Sequence, residues 1–273
     1  WFSVHAPTLD IDGAQNWHGE GFAVLRATRH RKKLQRGGLR GNAFSIHVRG
    51  VDGARTAFYE RAETIRARGV PNYFGPQRFG HNAGNIQRAL DLFAKPQPPT
   101  KSRRRGGKDR HRRGIYLSAA RAYLFNRVLA HRVRTGTWES ALEGDLLMPN
   151  GRHGFFSYDT SDAEVPRRLA ELEVHPTGPL PGAGPALSGA VGDIENGVCS
   201  EHPDLFEGLI ANALESERRA LRLRVDDLEV ADLGEYGLRC DFRLSRGAFA
   251  SVVLRELLAP STEEHVHRPG ASV

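Results

Sequence analysis

Alternation of apolar and polar side chains is clearest at 43–49, AFSIHVR. There Phe44, Ile46 and Val48 fall on one side of an extended chain and Ser45, His47 and Arg49 on the other. A period of two predicts a half-buried strand. WFSVHA (1–6) alternates in the same way, and EGFAVLRAT (20–28) and residues 226–244 predict further strands. Apolar residues at helical spacing predict a helix over 53–68, built on Ala54, Phe58, Ala62 and Ile65 and stopped by Gly69 and Pro71. Further helices are predicted over 84–94, 115–133, 162–173, 204–220 and 247–257. Residues 144–158 read as short strands or turns. The Gly- and Pro-rich stretches 95–114 and 176–189 read as connections, and the tail after Leu258 as frayed.

Strands come first, a mainly helical block fills the middle, and strands return at the end. That order predicts an α+β fold in which residues 1–68 and 222–273 form one domain and 69–221 is a largely helical insertion.

Composition narrows the function. The 273 residues carry a formal net charge of +7 with a sequence pI near 9.8, which favours an anionic partner, nucleic acid first. No apolar run approaches the roughly 18 residues of a membrane span, and the opening residues lack the basic and apolar regions of a signal peptide. Cys199 and Cys240 are the two cysteines, so a reducing, cytoplasmic setting is expected. No Gly-rich nucleotide loop, zinc-finger spacing or Ser/Cys nucleophile signature is present, so neither a metal nor a cofactor is expected. Asp10 and Asp12 sit in a surface-turn sequence and read as structural.

Three stretches carry candidate chemistry. RATRHRKKLQRGGLRGNAF (26–44) crowds Arg29, His30, Arg31, Lys32, Lys33, Arg36 and Arg40 before the strand that holds Asn42 and Phe44. Such cations contact phosphates, and an amide beside an aromatic can read a base edge while the ring stacks. KSRRRGGKDRHRRG (101–114) is a second basic run. RLSRGAFASVVLREL (243–257) leads a strand through a glycine turn into a helix with Phe249 in its first turn. Taken alone, Phe44 and Phe249 read first as core residues. GVPNYFGPQRFG (69–80) is too broken for a helix and too aromatic for a linker. Its Gly and Pro residues predict a rigid, sharply turning junction anchored by Tyr73, Phe74 and Phe79; RNA contact by Gln77 and Arg78 is the disfavoured alternative.

These motifs, in order, resemble the TruD family of tRNA pseudouridine synthases, which convert uridine 13 of tRNA to pseudouridine. The resemblance rests on the basic stretch ending in Gly-Asn-x-Phe (29–44), GVPNYFGPQRFG (69–80), LSAARAYLFN (117–126), LPGAG (180–184) and GAFASVVLREL (247–257). It implies a pseudouridine synthase-type mixed, mostly antiparallel sheet with a family-specific insertion, a cofactor-free isomerisation, and tRNA as partner. It also implies that Asn42, Phe44 and Phe249 lie at the target uridine, with Phe249 packing on the displaced base. The family's initiating aspartate belongs to a Gly-x-Lys-Asp-like motif that no stretch of this chain matches. It is expected before Trp1, and this chain alone is expected to be inactive. A non-catalytic RNA-binding protein on the same scaffold is the competing expectation.

Overall fold

A computed structural model describes residues 2–34, 38–51, 53–95 and 107–258. The chain forms two units, Trp1–Arg40 and Gly41–Val273.

In the first unit, the Asp10 carboxylate accepts the backbone N–H groups of Asp12 and Gly13 at 3.1 and 3.0 Å. It thereby caps a short helix, α1 (Ile11–Gln15), the structural role expected of an N-cap aspartate. Strands β1 (His18–Gly19) and β2 (Phe22–Ala23) pair as a small antiparallel hairpin. The strands expected at 1–6 and across 20–28 therefore do not form at those lengths. Alternation yields a strand only where a neighbour completes its hydrogen bonds. Among the described residues none pairs with 2–6, and Phe2 and Val4 are 97% and 75% exposed.

The second unit opens with β3 (Gly41–Val48), then α2 (Arg55–Arg68) and the two-residue strand β4 (Val70–Pro71). Helices α3 (Gly84–Phe93) and α4 (Gly107–Arg134) follow, then β5 (Leu146–Pro149), β6 (Phe156–Ser157), α5 (Glu164–Ala170) and β7 (Val174–Leu180). Helices α6 (Gly189–Glu201) and α7 (Pro203–Ala211) precede β8 (Glu217–Ala220), β9 (Arg222–Leu223), β10 (Asp226–Asp232), β11 (Leu238–Ser245) and α8 (Ala250–Leu258).

Strand β11 is the centre of a three-stranded antiparallel sheet ordered β10-β11-β3, with Phe44 opposite Phe242 and Asn42 opposite Leu244. Its alternate residues Leu238, Cys240, Phe242 and Leu244 are buried. They pack with Phe58, Ala62 and Ile65 of α2 and Val252, Val253 and Leu257 of α8. Burying one such large side chain is worth about 1.5–3 kcal/mol, so this face fixes the register: a one-residue slip would turn Arg239, Asp241 and Arg243 inward.

A second layer system is drawn from residues between the two parts of that core. A four-stranded sheet ordered β6-β5-β7-β8 packs through β7 on α4, and α3, α4, α6 and α7 enclose their own apolar cluster around Leu124, Val128 and Leu209. The chain leaves the first core through β4 and returns through β9. These crossings pair side by side, Val70 with Leu223 and Pro71 with Arg222. Gly69 makes this possible: φ is +70°, and a Cβ there would lie 2.6 Å from the Leu223 carbonyl oxygen.

Several expected elements differ. Helix α4 begins at Gly107, inside the basic stretch read as a connection; arginine and lysine are good helix formers, and Asp109 in the first turn suits the helix dipole. The expected helix 204–220 ends at Ala211, where Asn212 and the left-handed Ala213 (φ +51°) turn the chain, and Glu217–Ala220 instead pairs with β7. The expected loop 176–189 begins as the buried strand β7 despite Pro176 and Pro179, because it lies between β5 and β8. The expected frayed tail lies outside the described residues.

Candidate functional site

The first half of the loop 69–80 is held by amide side chains. Asn72 donates its backbone N–H to the Leu221 carbonyl at 2.8 Å and its side-chain N–H to that of Ala220 at 2.8 Å. Its Oδ1 accepts Arg219 Nη2 at 2.6 Å. Two residues on, Asn126 of α4 clamps Phe74 from both sides: Oδ1 accepts the Phe74 N–H at 2.9 Å, and Nδ2 donates to the Phe74 carbonyl at 3.0 Å. With its backbone satisfied, Phe74 is free to bury its ring.

That ring organises a cluster. Phe249, just before α8, meets Phe74 edge-on with centroids 6.0 Å apart, and Phe125 of α4 meets it from another side at 5.5 Å. The Arg219 guanidinium lies 4.2 Å from the Phe74 centroid and 5.6 Å from that of Phe125. The Arg78 guanidinium lies 5.3 Å from Phe74 and 5.8 Å from Phe249, within cation–π range. Arg219 Nη1 also donates to the Gly247 carbonyl at 3.2 Å, which ties the turn before Phe249 to the loop. Gly75 lets the loop close on α8: a Cβ there would meet Gln77 Oε1 at 2.6 Å and Ser251 Oγ at 2.9 Å.

Electrostatically the cluster is positive. Among the described residues no carboxylate lies within ion-pair distance of Arg78 or Arg219. Burial, with the charge of Arg78 behind it, pushes the Arg219 pKa down to about 10, and burial lowers that of Arg78. Arg219 thus remains charged at neutral pH. The half-buried Phe249 beside guanidiniums without a carboxylate partner suits an anionic, planar ligand.

The fold brings two further expected residues to the same end of the three-stranded sheet. Asn42 pairs with Leu244, and from there the chain passes through the Gly247 turn to Phe249. Asn42 is exposed, whereas Phe44, next on the same face, is half-buried and stacks on Phe242 with centroids 5.3 Å apart and planes at 30°. The basic stretch lies in the first unit. Arg31, Lys32, Lys33 and Arg40 are exposed, as is His30, whose Nδ1 is 2.7 Å from the Lys32 carbonyl oxygen. Arg29 is occupied, donating to the carbonyls of Pro7 and Leu9 at 3.2 and 3.0 Å. Arg36 falls outside the described residues.

Sequence reasoning placed the loop at a junction. It did not place Phe249 against it, and it missed Asn72 and Arg219. Asn72 had a signal, an amide inside the aromatic motif. Arg219 had none, because its neighbours Glu217–Ala220 read as a helix. Among the described residues no helix is long and apolar enough to cross a membrane, and no group of three or more His, Cys, Asp or Glu side chains gathers as a metal site.

Comparison with known proteins bears on this arrangement. The family model described as tRNA pseudouridine synthase D (TruD) matches residues 1–88 and 109–257. A protein named tRNA pseudouridine synthase D from Methylococcus capsulatus is 46% identical over 259 residues, covering 94% of this chain and 71% of the relative. One of the same name from Xanthomonas axonopodis pv. citri is 41% identical over 266 residues, covering 94% and 72%. A crystal structure described as a candidate tRNA pseudouridine synthase D from Methanosarcina mazei superposes with a TM-score of 0.66 at 24% identity, covering 92% of this chain and 76% of the other. At that identity the likeness speaks for the fold, which is α+β with mostly antiparallel sheets.

Proposed function

We propose, from the premise that this chain belongs to the tRNA pseudouridine synthase D family, that it acts on tRNA and serves the conversion of uridine 13 to pseudouridine. The reaction is an isomerisation. The N1–C1′ bond breaks, a C5–C1′ bond forms, C5 gives up a proton and N1 takes one, so no atom is gained or lost and no cofactor is called for. The observation that carries the reading is the apposition of Phe249 to Phe74 and Arg78 at the sheet end that also carries Asn42.

Phe249 is the platform for the displaced uracil, whose unstacking costs a few kcal/mol that aromatic stacking partly returns. Asn42 supplies an amide for the base edge, and Phe44 forms the adjoining wall. These residues bind and orient; none of them is assigned the covalent step. The exposed cations Arg31, Lys32, Lys33 and Arg40, with His30 and Arg36, hold the tRNA backbone, while Arg29 braces the segment at Pro7 and Leu9. Residues 1–68 and 222–273 are the catalytic domain and 69–221 the insertion. The paired crossings at β4 and β9 and the separate apolar clusters support those boundaries. The setting is the cytoplasm.

The test is to incubate the complete protein with an unmodified tRNA transcript and map pseudouridine by base-specific chemical modification and primer extension. Pseudouridine at position 13 is expected. Binding of the transcript without pseudouridine formation would transfer the reading to an RNA-binding protein on this scaffold.

A further inference from the structure

We infer that Arg78 is a phosphate-binding residue, its guanidinium taking a phosphodiester of the substrate RNA beside the displaced nucleotide; this rests on the reading of the cluster as the site of an RNA substrate.

Arg121, Arg218 and Arg255 each face a carboxylate: Glu217 at 3.7 Å, Glu195 at 2.7 Å and Glu256 at 2.9 Å. Arg78 faces none among the described residues. One of its nitrogens, Nη1, donates to Ser118 Oγ at 2.9 Å, whereas Nε is buried and unpartnered. The donor left for a ligand is Nη2, which makes no hydrogen bond among the described residues and is not among the buried, unpartnered atoms; an N–H of a charged group without an acceptor is costly.

Its surroundings set the ligand's chemistry. Arg219 adds a second positive charge, and each of its nitrogens already donates within the protein: Nη2 to Asn72 Oδ1, Nε to the Asn72 carbonyl at 3.4 Å, and Nη1 to the Gly247 carbonyl. Arg219 thus contributes field and Arg78 contributes free donors. A neutral base carbonyl would leave both charges uncompensated. A phosphodiester offers a full negative charge and two oxygens that match the planar guanidinium fork. Phe74 and Phe249 flank that fork, which fixes its plane next to the proposed base platform. The loop motif that looked like a junction in the sequence is thereby also part of the substrate site.

The experiment measures tRNA affinity of the complete protein across salt concentration for wild type, Arg78→Gln and Arg78→Lys. Losing one phosphate contact to single-stranded RNA flattens the plot of log affinity against log salt by about 0.7. Between about 50 and about 200 mM salt, wild type should therefore lose about threefold more affinity than Arg78→Gln. Arg78→Lys should keep the wild-type slope. An unchanged slope in folded Arg78→Gln overturns the inference. Should Arg78→Gln fail to fold, methylphosphonate linkages placed singly around the target uridine test wild type directly. One linkage flanking that uridine should flatten the slope by the same amount, and no such linkage would overturn the proposal. Absence of any salt-dependent tRNA binding by wild type would sink the functional reading itself, a different failure.

Discussion

Asn72 and Arg219 make the most exposed prediction about how the site is held. Asn72→Ala removes the Oδ1 acceptor of Arg219 Nη2 (2.6 Å) and the Nδ2 donor to the Ala220 carbonyl (2.8 Å). A hydrogen bond to a charged group is worth about 1.5–3 kcal/mol and a neutral one about 1 kcal/mol, so the loss is about 2.5–4 kcal/mol. That is a large part of the roughly 5–15 kcal/mol by which folded domains are stable. Arg219→Met removes the charge but leaves an apolar stem against Phe74. Its cost and that of Asn72→Ala share the same bond, so the double variant should be less destabilised than the sum by about 1.5–3 kcal/mol. Urea unfolding of the four proteins, with slopes compared to check that one transition is followed, gives the coupling. Additive losses, with coupling under about 0.5 kcal/mol, would refute the view that Asn72 exists to seat Arg219 under the aromatic cluster.

His175 predicts a pH effect. It is buried, accepts Arg222 Nε at Nδ1 (3.1 Å) and faces Asn150 Oδ1 through Nε2 (3.2 Å); burial first, then the charges of Arg222 and Arg224, push its pKa down to about 3. The unfolded chain takes a proton near pH 6.5 that the fold refuses, so this stability is complete above about pH 6.5 and is lost towards pH 3 at up to about 1.4 kcal/mol per pH unit. His175→Gln should flatten the stability profile between about pH 6.5 and 4.5, and identical profiles would count against it. Neutralising Arg31, Lys32 and Lys33 together should weaken tRNA binding and reduce its salt slope by about 2; an unchanged slope would remove them from the phosphate contacts. Arg29→Gln, by contrast, should loosen the segment around Pro7 and Leu9, read as faster amide exchange there; unaltered exchange would show that its two bonds to those carbonyls are dispensable.

What the sequence made legible follows from where local pattern and tertiary need agree. Strand 41–48, helix 55–68 and the β10–β11 pair were readable because their apolar residues repeat at the period of the structure they form. Helix α6 was not: Gly189, Gly192 and Gly197 weaken its propensity by about 1 kcal/mol each. One of them is demanded by packing, since a Cβ on Gly192 would lie 2.3 Å from the Leu187 carbonyl oxygen. Strand β8 was hidden because Arg218 and Arg219 favour helix locally, while the ladder to β7 and the bonds to Glu195 and Asn72 decide otherwise. At the site, Asn42, Phe44 and Phe249 came from motifs carried on single segments. The contribution of Arg78 and Arg219 depends on two segments far apart in sequence meeting at Phe74, which no local pattern records.

The central claim is that Phe249 carries the displaced base, and the most direct measurement is single-turnover pseudouridine formation by the complete protein, wild type against Phe249→Ala, with tRNA affinity measured alongside. Stacking of one base is worth about 1–3 kcal/mol, so the rate should fall by about 5- to 150-fold. Affinity, dominated by phosphate contacts, should change by less than about threefold. Equal losses in rate and affinity, or a rate that does not change, would contradict the account.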